Sequence, residues 1–222
     1  MKYIYGLNKS GKSIIKYLKK IHEIYYCWDD SFEIRKKLIK YDDEIKLVKP
    51  NKINLDLITE SFITPGISLN DKKLKFLKDN KIKLYRDLEL YSRLTQDKKI
   101  IAITGTNGKS TTSKLISDMM NYSNIKNFLG GNIGTPLLDY IEKKKIAKYH
   151  VIELSSFQLE SFKCFNPYIS ILLNISADHM DRYDQLEDYI KQKEKIINLD
   201  KNSFNIVCVD DQETYNIYKK YR

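Results

Sequence analysis

The sequence predicts an α/β fold built from two successive parallel sheets. Three observations carry that expectation. Short apolar runs alternate with stretches whose apolar residues recur at helical spacing. Each half opens with a strand that runs into a glycine-bearing turn and then a helix. The 42% hydrophobic content of the 222 residues is ample for a buried core.

The elements follow in order. KYIYG at 2–6 reads as a strand, GLNKSGKS at 6–13 as a turn, and SIIKYLKKI at 13–21 as an amphipathic helix. EIYYCW at 23–28 is a second strand ending in Asp29 and Asp30, and LDLITESFITPG at 55–66 contains a third, closed by a Pro-Gly turn. DKKLKFLKDN is a short helix and KIKLY a strand. The stretch DLELYSRLTQDKK at 87–99 turns polar and ends in lysines, which places a domain boundary near Leu94 or Thr95 and divides the chain into 1–94 and 95–222. The second half then runs through strand IIAIT, helix KSTTSKLISDMMNY, strand NFLGG, helix PLLDYIEKK, strands HVIEL and ISILLNI, helix LEDYIKQKEKIINL and strand FNIVCV. It closes on YNIYKKYR with no evident finishing element.

Composition narrows the function classes. The longest uncharged apolar runs, such as YISILLNIS at 168–176, fall short of a membrane helix, and the N-terminus lacks a secretory pattern, so a cytoplasmic protein without a membrane partner is expected. Cys27, Cys164 and Cys208 are odd in number and far apart, which suits reduced thiols better than a disulfide framework or metal knuckle. The net charge of +10 invites a nucleic-acid reading, yet 34 of the 39 basic residues are scattered lysines and the arginines number five. That distribution argues against nucleic acid and suits a polyphosphorylated small molecule.

The stretch IAITGTNGKSTT at 101–112 places a glycine turn and a lysine after an apolar strand. Such a loop cradles phosphate with successive backbone N–H groups at a helix N-terminus, adds a lysine cation and offers a hydroxyl to Mg²⁺. Gly105, Thr106, Asn107 and Gly108 make the turn, Lys109 supplies the charge, and Ser110 or Thr111 the hydroxyl. The usual pattern wants glycine where Ile103 stands, so the match is to GxxGKS alone. These features specify the fold as a Rossmann-like N-terminal domain followed by an incomplete P-loop ATPase-type α/β domain. The first turn, with glycines at 6 and 11, matches no full fingerprint and is by itself as consistent with a plain turn as with a diphosphate site.

GTNGKSTT, together with GGNIGTP at 130–136, VIELSSFQLE at 151–160 and LNISADHMDRY at 173–183, resembles the Mur ligases, and the last three blocks resemble their D-glutamate-adding branch. The resemblance runs from the first strand nearly to the end of the chain. It implies a UDP-binding domain, a central ATPase domain and a third domain for ATP and the incoming amino acid. It also implies ATP, UDP-N-acetylmuramoyl-L-alanine and D-glutamate as partners, Mg²⁺ as cofactor, a monomer, and an acyl-phosphate route to an amide in peptidoglycan synthesis.

By that resemblance Lys109, His179 and Lys193 are the catalytic set. Lys109 holds the β and γ phosphates, and Ser110 and Glu153 offer oxygens to the metal. His179 is the metal-binding histidine, and Lys193 is the lysine carbamylated by CO₂ into a further metal ligand. Its neighbours Lys191 and Lys195 make a lysine run that alone reads as a solvated helix face. Asn132, Ser155, Ser156 and Gln158 are implied to hold the muramoyl-alanine arm, though SSFQ alone reads equally as a helix cap. Asn8, Lys9, Ser10, Asp29, Thr64 and Gly66 are implied to contact uridine and diphosphate. Asn8 departs from the GLG common in the first turn, and Thr64 stands where serine is common.

The resemblance implies a longer enzyme, so a truncated form with little or no ligase activity of its own is expected. Three other readings stand beside it: another Mur ligase or a folylpolyglutamate synthetase-like ligase, a non-catalytic UDP-sugar-binding remnant, and a basic P-loop protein that binds nucleic acid. GNIGTP and SSFQLE argue against the first.

Overall fold

The computed structural model describes residues 1–142 and 147–222. The first half comprises β1 (Lys2–Tyr5), α1 (Lys9–Lys20), β2 (Tyr25–Trp28), α2 (Phe32–Tyr41), β3 (Glu60–Ile63), α3 (Lys75–Asp79), β4 (Lys83–Tyr85) and α4 (Asp87–Leu94). The second comprises β5 (Lys99–Thr104), α5 (Lys109–Tyr122), β6 (Asn127–Gly131), α6 (Asp139–Glu142), β7 (Tyr149–Glu153), β8 (Ile169–Leu172), α7 (Leu186–Glu194), β9 (Phe204–Val207) and α8 (Gln212–Tyr221). The strands form two sheets ordered β2-β1-β3-β4 and β6-β7-β5-β8-β9. All seven pairings between them are parallel.

In each sheet the order reverses beside the first strand, so the turns after β1, β3 and β5 gather at the carboxyl edges where parallel sheets bind ligands. In the first half, helix α1 turns Ile14, Ile15 and Leu18 to the sheet and carries Lys19 and Lys20 in its last turn, where they suit the helix dipole. It starts at Lys9, so the turn ahead of it is shorter than GLNKSGKS suggests, and Lys9 and Ser10 belong to the helix. Gly11 is what permits this: a Cβ there would lie 2.0 Å from the Gly6 carbonyl oxygen.

The second sheet is covered unevenly. Ile116 and Met120 of α5 pack on Ile101, Ile103 and Val151, while Tyr189 of α7 and Ile217 of α8 meet Leu172 on the other face. Phe204 and Ile206 of β9 pair in register with Ile169 and Ile171 and therefore share the α5 side. They remain 58% and 54% exposed.

Three elements differ from the sequence expectation. The helix expected over 186–199 stops at Glu194. The chain closes on helix α8, whose Asp211 cap accepts the Thr214 N–H at 2.8 Å. The helix expected at 136–144 is described as Asp139–Glu142, and Lys143 and Lys144 lie outside the described residues.

The stretch at 87–99 is more buried than its polar composition suggests, because Asp87 through Ser92 of α4 are all buried. Its carboxylates bury because each has partners in the opposite half. Glu89 accepts the backbone N–H of Lys163 at 2.6 Å and of Cys164 at 3.2 Å, besides Arg93 Nε at 2.9 Å. One apolar cluster accordingly runs from Ile4 and Leu18 through Leu88 and Tyr91 to Ala102 and Ile152, joining the two sheets.

Candidate functional site

The turns after β1 and β3 form one wall of a cavity of about 780 Å³, and the loop after β6 forms another. Asn8, Lys9, Ser10, Asp29, Thr64 and Gly66 all line it, as do Asn132 and Gln158 from the second half. Asp29 shapes the first turn: its carboxylate accepts Leu7 N–H at 2.7 Å and Ser31 N–H at 2.9 Å. Thr64 seats the same turn, because a Cβ at Gly6 would meet its Oγ1 at 1.9 Å. The departure at Asn8 leaves that residue exposed on the cavity wall.

The loop after β5 has the shape of a phosphate cradle. Gly108, at φ 79°, turns the chain into α5 in a conformation that side chains disfavour. From behind, Asn174 Oδ1 accepts Thr106 N–H at 3.1 Å and Asn107 N–H at 2.8 Å. Lys109 Nζ donates to the carbonyls of Gly105 at 2.9 Å and Thr106 at 2.7 Å. Burial lowers the pKa of its ammonium, against the opposing pull of Glu153 and Asp178.

Glu153, only 1% exposed at the end of β7, accepts Ser110 Oγ at 2.8 Å and Asn132 Nδ2 at 2.8 Å. A hydroxyl and a carboxylate this close, beside a phosphate cradle, are the hard oxygens Mg²⁺ takes when phosphates and waters complete its shell. Ser110 and Glu153 therefore fit that ion. Among the described residues no three His, Cys, Asp or Glu side chains cluster as a metal site.

A second cavity of about 210 Å³ lies behind the loop and is lined by Lys109, Asn132, Ser155, Ser156, Phe157, His179, Tyr189 and Lys193. Asn132 lines both cavities, so the large cleft and the phosphate loop meet at one side chain. Lys193 is 1% exposed and donates to Gly105 O at 2.6 Å, whereas Lys191 and Lys195 face solvent. Burial, and then the charge of Lys109, push its ammonium down to about 7, with Asp178 pulling the other way. His179 sits at φ 56° with its ring 4.9 Å from Phe157. Ser155 Oγ accepts the Gln158 N–H at 3.3 Å, so SSFQ folds back on itself ahead of a short 3-10 turn while lining both cavities. Thr111 is exposed on the first turn of α5.

Sequence reasoning missed the junction that holds these walls together. Arg86, fully buried, donates to Ile63 O at 3.0 Å and Thr64 O at 2.7 Å and pairs with Glu160. Asp87 bonds the side chains of Ser10 and Gln158, and burial raises its carboxyl pKa against those contacts and Arg86. Its position at the head of a helix with Glu two residues on was the available signal.

Fold and site together define a two-sheet α/β protein whose second sheet carries a glycine-rich strand-to-helix turn with a lysine at the head of the helix. Residues 103–222 match the Mur ligase middle domain, and the chain belongs to the Mur ligase family. It is 36% identical over 220 residues to UDP-N-acetylmuramoylalanine–D-glutamate ligase of Wolbachia pipientis wMel, covering 98% of this chain and 42% of that protein. It is 35% identical over 219 residues to the same-named ligase of Rickettsia prowazekii (strain Madrid E), covering 97% and 48%. The chain thus spans about half the length of these relatives. Among solved structures, the UDP-N-acetylmuramate:L-alanyl-gamma-D-glutamyl-meso-diaminopimelate ligase from Neisseria meningitides superposes with a TM-score of 0.64 at 12% identity, over 99% of this chain and 74% of that one. MurF ligase from Thermotoga maritima, solved in complex with ADP, matches 74% of this chain and 40% of its own at a TM-score of 0.50 and 16% identity. The family reading of the four sequence blocks is borne out.

Among the described residues no helix is long and apolar enough to cross a membrane.

Proposed function

We propose that the chain carries the substrate-activating machinery of a UDP-N-acetylmuramoyl-L-alanine:D-glutamate ligase, with residues 1–94 binding the UDP moiety and 95–222 binding ATP. The observation that carries this reading is the meeting of the two cavities at Asn132. A UDP-linked substrate in the large cleft extends its carboxylate past Asn132 toward the phosphate loop. The names of the relatives at 36% and 35% identity support this substrate over other amino-acid ligases.

In the first step a carboxylate oxygen attacks the γ-phosphorus of ATP, the bond to the β-bridging oxygen breaks, and ADP leaves. The amine of D-glutamate then attacks the acyl carbon, phosphate departs, and the amine gives up a proton to form the amide. Charge gathers on the transferring phosphoryl group, so fixed cations and backbone donors do most of the work. Lys109 leaves its loop carbonyls to hold the β and γ phosphates, and the loop N–H groups surround them. Ser110 and Glu153 would hold Mg²⁺, which would supply positive charge against the phosphates. Lys193, buried and poised near neutrality, would offer CO₂ the free amine that a carbamate needs, and His179 lines the same cavity, where its imidazole would serve as a metal ligand. The reaction belongs in the cytoplasm, where ATP and nucleotide sugars are available, and the side chains named here all come from one protomer.

Calorimetric titration of the chain with UDP-N-acetylmuramoyl-L-alanine, UDP and MgATP tests the assignment. Tighter binding of the muramoyl substrate than of UDP, with separate MgATP binding, is expected. Equal affinity for UDP and the muramoyl substrate would remove the ligase substrate and leave a UDP-binding module.

A further inference from the structure

We propose that Arg182 is a positioning residue that carries the state of the large cleft to His179. The proposal rests on the reading of that cleft as a uridine-nucleotide site. Pro65 and Gly66 line the cleft with the turn that follows β3. Their carbonyls accept from the Arg182 guanidinium, Pro65 O at 3.4 and 3.3 Å and Gly66 O at 3.3 Å. Those bonds are at the long end of the range, so a ligand pressing on the turn has room to tighten or release them. Among the described residues Arg182 Nε is buried without a partner, and Glu160 Oε1 stands 3.9 Å from Nη2. The guanidinium is therefore held at its tip by the turn and carries an unused donor, which leaves its aim dependent on those carbonyls.

The same guanidinium lies 4.2 Å from the centroid of Phe157, whose ring is 4.9 Å from that of His179. A backbone bond closes the circuit, with Arg182 N–H donating to His179 O at 2.9 Å across the turn that holds His179 at φ 56°. Among the described residues the His179 imidazole has only Asp178 as a polar neighbour, at 3.4 Å, so Phe157 is the neighbour that orients its ring. The chain of contacts thus runs from the cleft wall through a planar cation and one aromatic ring to the imidazole. Every link has a geometry that a lysine or an aliphatic side chain would not reproduce.

The molecule supplies its own reporters. Trp28 is the sole tryptophan, and its Nε1 donates at 3.3 Å to Asp30 on the cleft wall. The chain has three histidines, so ring resonances of His179 are assignable by comparison with His179→Asn. UDP titration without metal or ATP is followed at once by Trp28 fluorescence and by imidazole NMR. In the wild type both signals are expected to move with one midpoint. In Arg182→Lys, and separately in Phe157→Leu, the Trp28 midpoint is expected to stay within about threefold while the His179 shift falls by more than half. A full His179 shift in either variant overturns the relay, as does a silent His179 in wild type while Trp28 saturates. A silent Trp28 together with no calorimetric heat for UDP overturns the nucleotide reading of the cleft and the relay with it.

Discussion

Arg86→Met is expected to lower the unfolding free energy by about 3–5 kcal/mol, the cost of breaking a buried ion pair from one side. Arg86 is fully buried, and burial lowers its pKa against the pull of Glu160. Methionine fills similar volume but leaves the carbonyls of Ile63 and Thr64 short of a donor and Glu160 short of its nearest cation. Because those carbonyls begin the turn that lines the large cleft, loss of stability and loss of UDP affinity should appear together. Urea denaturation of the variant and of Arg86→Met with Glu160→Gln separates the causes. The double variant should recover at least about 1 kcal/mol, since the uncompensated charge is gone. A single variant within about 1 kcal/mol of wild type would mean that the two halves are held by the apolar cluster alone.

Lys193→Met is expected to act in the opposite direction and stabilise the unliganded chain by on the order of 2–4 kcal/mol near neutral pH. The folded chain holds this ammonium down to about 7 against a usual 10.5, so the charged form is the one that folding disfavours. Between those two values the unfolded lysine keeps a proton that the folded one has released, and wild-type stability from this group rises with pH. Below about 7 both forms are protonated and the full cost remains. The gain from methionine should therefore be largest at pH 6–7 and shrink steadily toward pH 10, less the bond to Gly105 O. Thermal unfolding in CO₂-free buffer across that range measures it. A gain that does not change with pH would show that the amine is not held near neutrality by burial.

These two residues show what the sequence could and could not disclose. The loop from Gly105 to Ser110 and helix α5 over Lys109–Tyr122 were legible, because a glycine turn after an apolar strand and the helical spacing beyond it are local signals. Lys193 was legible only through family resemblance. Its run with Lys191 and Lys195 reads as one solvated face, and what singles it out is packing of α7 against the loop, where Tyr189 meets Thr106 across 83 residues of sequence. Arg86, Asp87 and Glu89 went unread for the same reason. Their charges look like surface until residues 158–164 arrive from the other half of the chain to partner them. Helix α8 differs, since Asp211 followed three residues on by Thr214 is a local cap that the sequence displayed.

The central claim is that one substrate spans both cavities, with its nucleotide in the first half and its carboxylate at the phosphate loop. Asn132, the residue lining both, tests it most directly. Calorimetry of Asn132→Ala should show affinity for UDP-N-acetylmuramoyl-L-alanine falling about tenfold or more, the loss expected from a hydrogen bond to a charged carboxylate, while UDP itself binds within about twofold of wild type. Equal losses for the two ligands, or none for the muramoyl substrate, would contradict a single molecule lying across both cavities.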